Sequence, residues 1–141
     1  MEGERSAGLA LEALAATHAV CRLGGAEPAP EWAVASPGAL LSLTRGEEEL
    51  SIVCAEAAVP AEIDRSGGWR ALRVAGTLEH GLTGVLVSLA APLAEAGVPI
   101  FAISTFDTDY LLVPGSDLER ATEALAAAGH SIDDHRSGAH G

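Results

Sequence analysis

The sequence predicts an α+β fold of the ferredoxin-like kind, an antiparallel sheet carrying two helices on one face. Three observations predict it. Residues 69–132 read in the order strand, helix, strand, strand, helix, strand, which is the split βαββαβ unit. Both helical stretches run into a glycine stop, Gly97 and Gly129. A hairpin pattern in the first half, residues 40–53, echoes one in the second, residues 101–113.

Residues 1–15 are Ala- and Glu-rich with weak helical periodicity and are expected as a loosely attached segment. Thr17 to Leu23 reads as a strand, ended by the Gly24-Gly25 pair. Pro30 to Ala35 has room for one short helical turn. Ala39 to Thr44 and Leu50 to Cys54 read as strands joined by Arg45 to Glu49, a polar connection of hairpin length. Glu56 to Glu62 makes at most a short turn, because Pro60 interrupts it.

The second half is sharper. Trp69 to Val74 reads as a strand and Gly76 to Gly84 as a glycine-containing loop. Val85 to Ala96 reads as a helix whose buried face is Val85, Leu86, Leu89, Leu93 and Ala96. Pro92 lies inside it, so a local kink is expected and the Ser88 carbonyl loses its usual amide partner. Ile100 to Thr105 and Asp109 to Val113 read as strands around a tight turn. A helix over 117–128 follows, with Ser116 and Glu119 spaced as a capping box. His130 to Ile132 reads as a short last strand. These elements divide the chain into a flexible segment at 1–15, subdomains at 16–67 and 68–132, and a disordered tail at 133–141.

Ile100 to Ile103 is apolar at every position, whereas a strand with helices on one side only should alternate. The other face is therefore expected to be covered, by the first half or by a second chain.

Composition narrows the function. The 141 residues carry a net charge of −12, and all eight basic residues are arginines scattered along the chain. No basic cluster is available to neutralise phosphates, which argues against nucleic acid. An anionic membrane surface would repel the chain. The N-terminus lacks the basic start and unbroken apolar run of a secretory signal, so a cytoplasmic location is expected. Cys21 and Cys54 lie in apolar strands and read as small buried hydrophobes.

Two segments could carry a ligand. The loop Glu79 to Gly84 opens the Val85 helix, where free backbone N–H groups and a partial positive charge favour an anion. Ser104, Thr105, Phe106, Asp107, Thr108 and Asp109 form the hairpin turn that follows. Asp109 could hold an ammonium or guanidinium group, and Phe106 could wall the pocket. Taken singly, each segment is also an ordinary turn. In a split fold the first hairpin strand is expected beside the strand that feeds the loop. His80, His130, His135 and His140 have no metal spacing; no phosphate loop, nucleophile elbow or zinc motif appears, and no cofactor is implied.

Together the segments match a family pattern. The stretch GVLVSLAAPLAEAGVPIFAISTFDTDYLLVP over 84–114 strongly resembles the ACT domains of CASTOR-type arginine sensors and their small bacterial relatives. The stretches LSLTRGEEELSIVCAE over 41–56 and GWRAL over 68–72 resemble the companion half of those bacterial proteins. The resemblance implies two tandem ACT-like subdomains, the first degenerate. It implies a ligand site between subdomains at Leu82, Thr83, Gly84 and Val85, with Ser104, Thr105, Phe106, Asp107 and Asp109 opposite. Leu82 stands where the arginine sensors carry an acidic residue, which argues against arginine itself as the ligand. The implied function is a small-molecule, amino-acid-binding sensor without catalysis, acting as a homodimer on an effector protein. The alternative is a structural homo-oligomerisation module with a vestigial site.

Overall fold

The computed structural model describes residues 8–75 and 84–134. Seven strands and two helices follow in the order β1 (Ala10–Gly24), β2 (Ser42–Arg45), β3 (Glu49–Ala55), β4 (Arg65–Val74), α1 (Val85–Glu95), β5 (Phe101–Ser104), β6 (Asp109–Pro114), α2 (Leu118–Ala127) and β7 (Ser131–Asp134). All strands join one sheet ordered β2-β3-β1-β4-β6-β5, and β7 pairs β1. The fold is the α+β ferredoxin-like one, with β4-α1-β5-β6-α2-β7 supplying the βαββαβ order.

The order shows how two units share the sheet. Each places its first strand at the centre, β1 or β4, and its hairpin outward, β2–β3 or β5–β6. The second unit spends its crossovers on α1 and α2. The first fills the equivalent positions with the long connection 25–41 and a single 3-10 turn, Glu56–Ala58. That shortfall follows from Pro28, Pro30 and Pro37 in the connection and Pro60 after the turn, since proline removes a helix donor.

β1 departs from the βαββαβ plan. It starts at Ala10, so residues 10–15 are sheet residues rather than a loose segment. Its first half lies between β4 and β7, pairing antiparallel with one and parallel with the other. β7 extends through Asp133 and Asp134, which were expected in the tail. The strand is apolar at Leu11, Ala13 and Leu14, but short alanines blunt the alternation, and partners distant in sequence decide its state.

The helical face holds the largest core. Leu11, Ala13, Leu72, Val74, Leu111 and Val113 of the sheet meet Leu89 and Leu93 of α1 and Ala121 and Leu125 of α2. Each buried leucine contributes about 1.5–3 kcal/mol. In the first unit Ala19, Cys21, Leu50, Ile52 and Cys54 are covered by Val59, Trp32, Ala33 and Ile63. On the opposite face Val53, Ala71 and Leu112 are covered by Leu40 from the long connection. The first unit thus covers the middle of that face with one loop while its strands extend the sheet sideways; in β5, where cover was expected, Ile103 packs against this cluster but Phe101 and Ala102 remain exposed.

The capping box does not form. A 3-10 turn over Gly115–Asp117 leads into α2, no side chain among the described residues caps the helix, and the Asp117 carboxylate accepts from Arg120 at 2.5 Å. α1 runs unbroken through Pro92.

Candidate functional site

The sheet register gathers the candidate segments at one end. Arg73 pairs with Tyr110, so the end of β4 at Val74 lies beside the start of β6 at Asp109. Ser104, at the end of β5, faces Asp109 across the hairpin. α1 returns from this end toward the other, where Phe101 opens β5 opposite Leu112. Gly84 at the start of α1 therefore belongs to the same end of the sheet as the 104–109 hairpin. It is β6, not the first hairpin strand β5, that neighbours β4: in a split fold the last-formed hairpin strand takes the central place.

Local hydrogen bonds make the hairpin tight. The Thr105 N–H donates to the Thr108 carbonyl at 2.8 Å, and the Thr105 hydroxyl oxygen accepts from the Thr108 N–H at 3.2 Å. Thr108 is buried and its hydroxyl donates to the Val74 carbonyl at 2.8 Å. That bond ties the turn to the last residue of β4. Sequence reasoning left Thr108 out of the site set, although its place between two aspartates, Asp107 and Asp109, marks it as the inward residue of an alternating turn. Ser104, Thr105, Phe106 and Asp107 are exposed, and Asp109 is half-buried.

The helix start has the form an anion site needs. Gly84 adopts the left-handed conformation, φ +84°, and no side chain among the described residues caps α1. A methyl group at Gly84 would meet nothing among the described residues within 4 Å. The Gly84 carbonyl already accepts from the Ser88 N–H at 2.8 Å. Val85 is half-buried against the main core. Leu82 and Thr83 lie outside the described residues, as do Glu79, His80 and Gly81. The structure thus brings Gly84 and Val85 to one end of the sheet with Ser104 to Asp109. It adds nothing on Leu82 and Thr83.

Other polar groups serve the fold. Arg70 is 1 % exposed, donates to the Leu14 carbonyl at 2.8 Å and pairs with Asp134 at 3.0 Å. Arg73 pairs with Glu12 across β1 and β4. Burial pushes the Cys54 thiol up to about 11, with Cys21 beside it adding to the rise, and burial raises Cys21 as well. Neither is a nucleophile at neutral pH. Among the described residues no group of His, Cys, Asp and Glu could hold a metal ion. No described helix is long and apolar enough to cross a membrane.

Comparison with known proteins places this geometry. Residues 65–127 match the ACT domain family, and residues 16–62 match a family of N-terminal domains. The crystal structure of protein Atu0741 from Agobacterium tumefaciens is 36 % identical, with 90 % of this chain and 93 % of that one covered at a TM-score of 0.84. A Vibrio cholerae protein of unknown function, VC0802, described as a possible transport protein, is 20 % identical; 86 % of this chain and 91 % of that one are covered at a TM-score of 0.66. The regulatory subunit of aspartate kinase from Thermus thermophilus, in its ligand-free form, is 19 % identical; 86 % of this chain and 96 % of that one are covered at a TM-score of 0.52. The last two share the fold. No curated protein matches the sequence.

Proposed function

The chain carries an ACT domain and belongs to the same family as Agobacterium tumefaciens Atu0741, and on that premise we propose that it is an amino-acid-binding regulatory module with no reaction of its own. ACT domains are ligand-binding regulatory modules, and one of the structures sharing this fold is a regulatory subunit of aspartate kinase. The observation that supports the reading is that the helix start at Gly84, uncapped among the described residues, lies at the same end of the sheet as the Asp109 hairpin. The amides of Gly84 and Val85 take the ligand carboxylate, and Asp109 takes its ammonium group. Ser104, Thr105, Phe106 and Asp107 line the approach, and Leu82 and Thr83 complete the loop side.

The active form in this reading is a cytoplasmic homodimer that reports ligand occupancy to a separate effector protein. Ligand binding signals by shifting the population of interface geometries, which requires different affinities for the two states. The resemblance to CASTOR-type sensors supports a zwitterionic amino acid, and Leu82 in place of an acidic residue argues against arginine itself.

Thermal unfolding against each of the twenty amino acids tests the proposal. A ligand at a hundredfold excess over its Kd stabilises the folded state by about 2.7 kcal/mol. At least one amino acid is expected to raise the Tm of the wild-type protein and to leave Asp109→Ala unmoved. A flat response to all twenty removes the reading in favour of a purely structural oligomerisation module.

A further inference from the structure

We propose that residues 36–41 form a strap latched by His18 across the helix-free face of the sheet, and that protonation of the His18 ring opens the latch.

The latch begins with an irregularity in β1. Ala13 pairs with Leu72 and Thr17 with Arg70, so four steps along β1 match two along β4. Such a slip leaves backbone groups of the bulged strand free to pair elsewhere. The Ala16 N–H donates to the Gly38 carbonyl of the connection at 3.1 Å. Two residues further along both segments, the Leu40 N–H donates to Nε2 of His18 at 2.8 Å. Gly38, with φ +75°, supplies the turn between these two bonds, a conformation a larger residue rarely adopts. The Leu40 side chain then packs on Val53, Ala71 and Leu112 and is 9 % exposed.

The chemistry of the latch is specific. A ring nitrogen that accepts from an amide carries no proton. Protonating Nε2 sets two donors face to face, and the Leu40 N–H loses its acceptor. The ring is fully buried, and among the described residues its Nδ1 meets no acceptor in full hydrogen-bonding geometry, with the Ala16 and Trp69 backbones nearby. No carboxylate acts on His18 among the described residues. Ala55 on β3, Trp69 on β4 and Leu40 on the strap face it with neutral groups, and the one charge bearing on it is the Arg70 guanidinium. Burial holds the ring below the ordinary histidine value; the Ala16 and Trp69 backbones work the other way without reversing it, and Arg70 adds to the lowering. The unfolded chain therefore takes up this proton before the folded one does. The latch is at full strength above about pH 6.5 and weakens as the pH falls below it. Opening uncovers the apolar floor of Val53, Ala71 and Leu112 while β4 and β6 remain paired.

The test is amide exchange by NMR from pH 7.5 to the acid side, with the His18 ring followed in the same samples. Protection factors of the Leu40 and Ala16 amides are expected to fall at least tenfold with the midpoint of ring protonation, while amides between β4 and β6 keep theirs. Strap amides that stay protected through that midpoint, or that fail only together with β4 and β6, overturn the proposal. His18→Gln carries a non-titrating acceptor at the Nε2 position and is expected to keep the strap protected across the range. A His18→Gln strap that opens at the wild-type midpoint also overturns it. If that variant does not fold, coincidence of the two wild-type midpoints decides the question alone.

Discussion

Nε2 of His130 lies 3.1 Å from the carbonyl oxygen of Ser88, the acceptor that Pro92 leaves without an amide. In an ordinary helix residue 92 would donate to that carbonyl, and proline has no N–H to give. The other ring nitrogen, Nδ1, accepts from the Leu9 N–H at 3.0 Å. With Nδ1 accepting, Nε2 carries the proton and donates to Ser88. One neutral ring thus joins α1, the approach to β7 and the approach to β1. Gly129 delivers it: φ +99° ends α2 in a left-handed turn, and the His130 N–H closes back on the Leu125 carbonyl at 2.9 Å.

His130→Ala removes the partner of two part-buried backbone groups, and an unpaired group costs up to about 1–3 kcal/mol, less where water reaches it as at the exposed Ser88. A loss of about 1 kcal/mol or more is expected in urea unfolding. Pro92→Ala returns an amide to Ser88, so in the His130→Ala background it should recover roughly 1 kcal/mol. In the wild-type background the same change competes with His130 and recovers less. Additive effects in this cycle would show that the histidine does not substitute for the missing amide.

Gly84→Ala separates backbone strain from ligand contact. The added methyl meets nothing among the described residues within 4 Å, so the expected stability loss is the left-handed penalty of about 1–2 kcal/mol. If the amides beside Gly84 grip a carboxylate, affinity in calorimetry falls by more than tenfold. Unchanged affinity with the expected stability loss would place the ligand elsewhere.

Asp134→Ala strands the Arg70 guanidinium, whose side chain is 2 % exposed. Removing one partner of a buried pair costs about 3–5 kcal/mol. The Leu14 carbonyl still accepts from Arg70, so the lower end is expected. The double variant Arg70→Met with Asp134→Ala should be more stable than Asp134→Ala alone, because an apolar chain of similar length fills the space without a stranded charge. Chemical denaturation of the three proteins checks the order.

Cys21 and Cys54 should resist thiol reagents in the native protein. Both are buried, and the Cys54 thiol is pushed up to about 11 by burial, so thiolate is scarce at pH 8. Colour development with an aromatic disulfide reagent should track unfolding, with rates rising at least a hundredfold in denaturant. Rapid native labelling would mean that the β1–β3 layer opens locally.

The second unit was legible because its signals are short-ranged. Gly97 and Gly129 ended helices as read, both with positive φ, and the leucines at 89 and 93 point to the core. The lost partner at Ser88 was legible from Pro92 alone. What replaces that partner was not, since His130 lies 42 residues away. The capping box misled for a related reason: Ser116 and Glu119 have the right spacing, but Gly115 sits 3.1 Å, by its would-be Cβ, from the Gly68 carbonyl, and the chain enters α2 through a tighter turn. The Gly84 and Asp109 segments were found as motifs, and their place at one sheet end follows from the β4–β6 register.

Local chemistry along the chain, in glycines, prolines and the spacing of leucines, determined the two helices, the outer hairpins and the βαββαβ order. Only the tertiary structure decided that β1 begins at Ala10, divides β7 from β4, and slips in register to hold Gly38 and Leu40. An alanine-rich segment has little preference of its own. A strand's hydrogen bonds are made with residues far along the chain, so its extent is settled by which neighbours arrive rather than by its own residues.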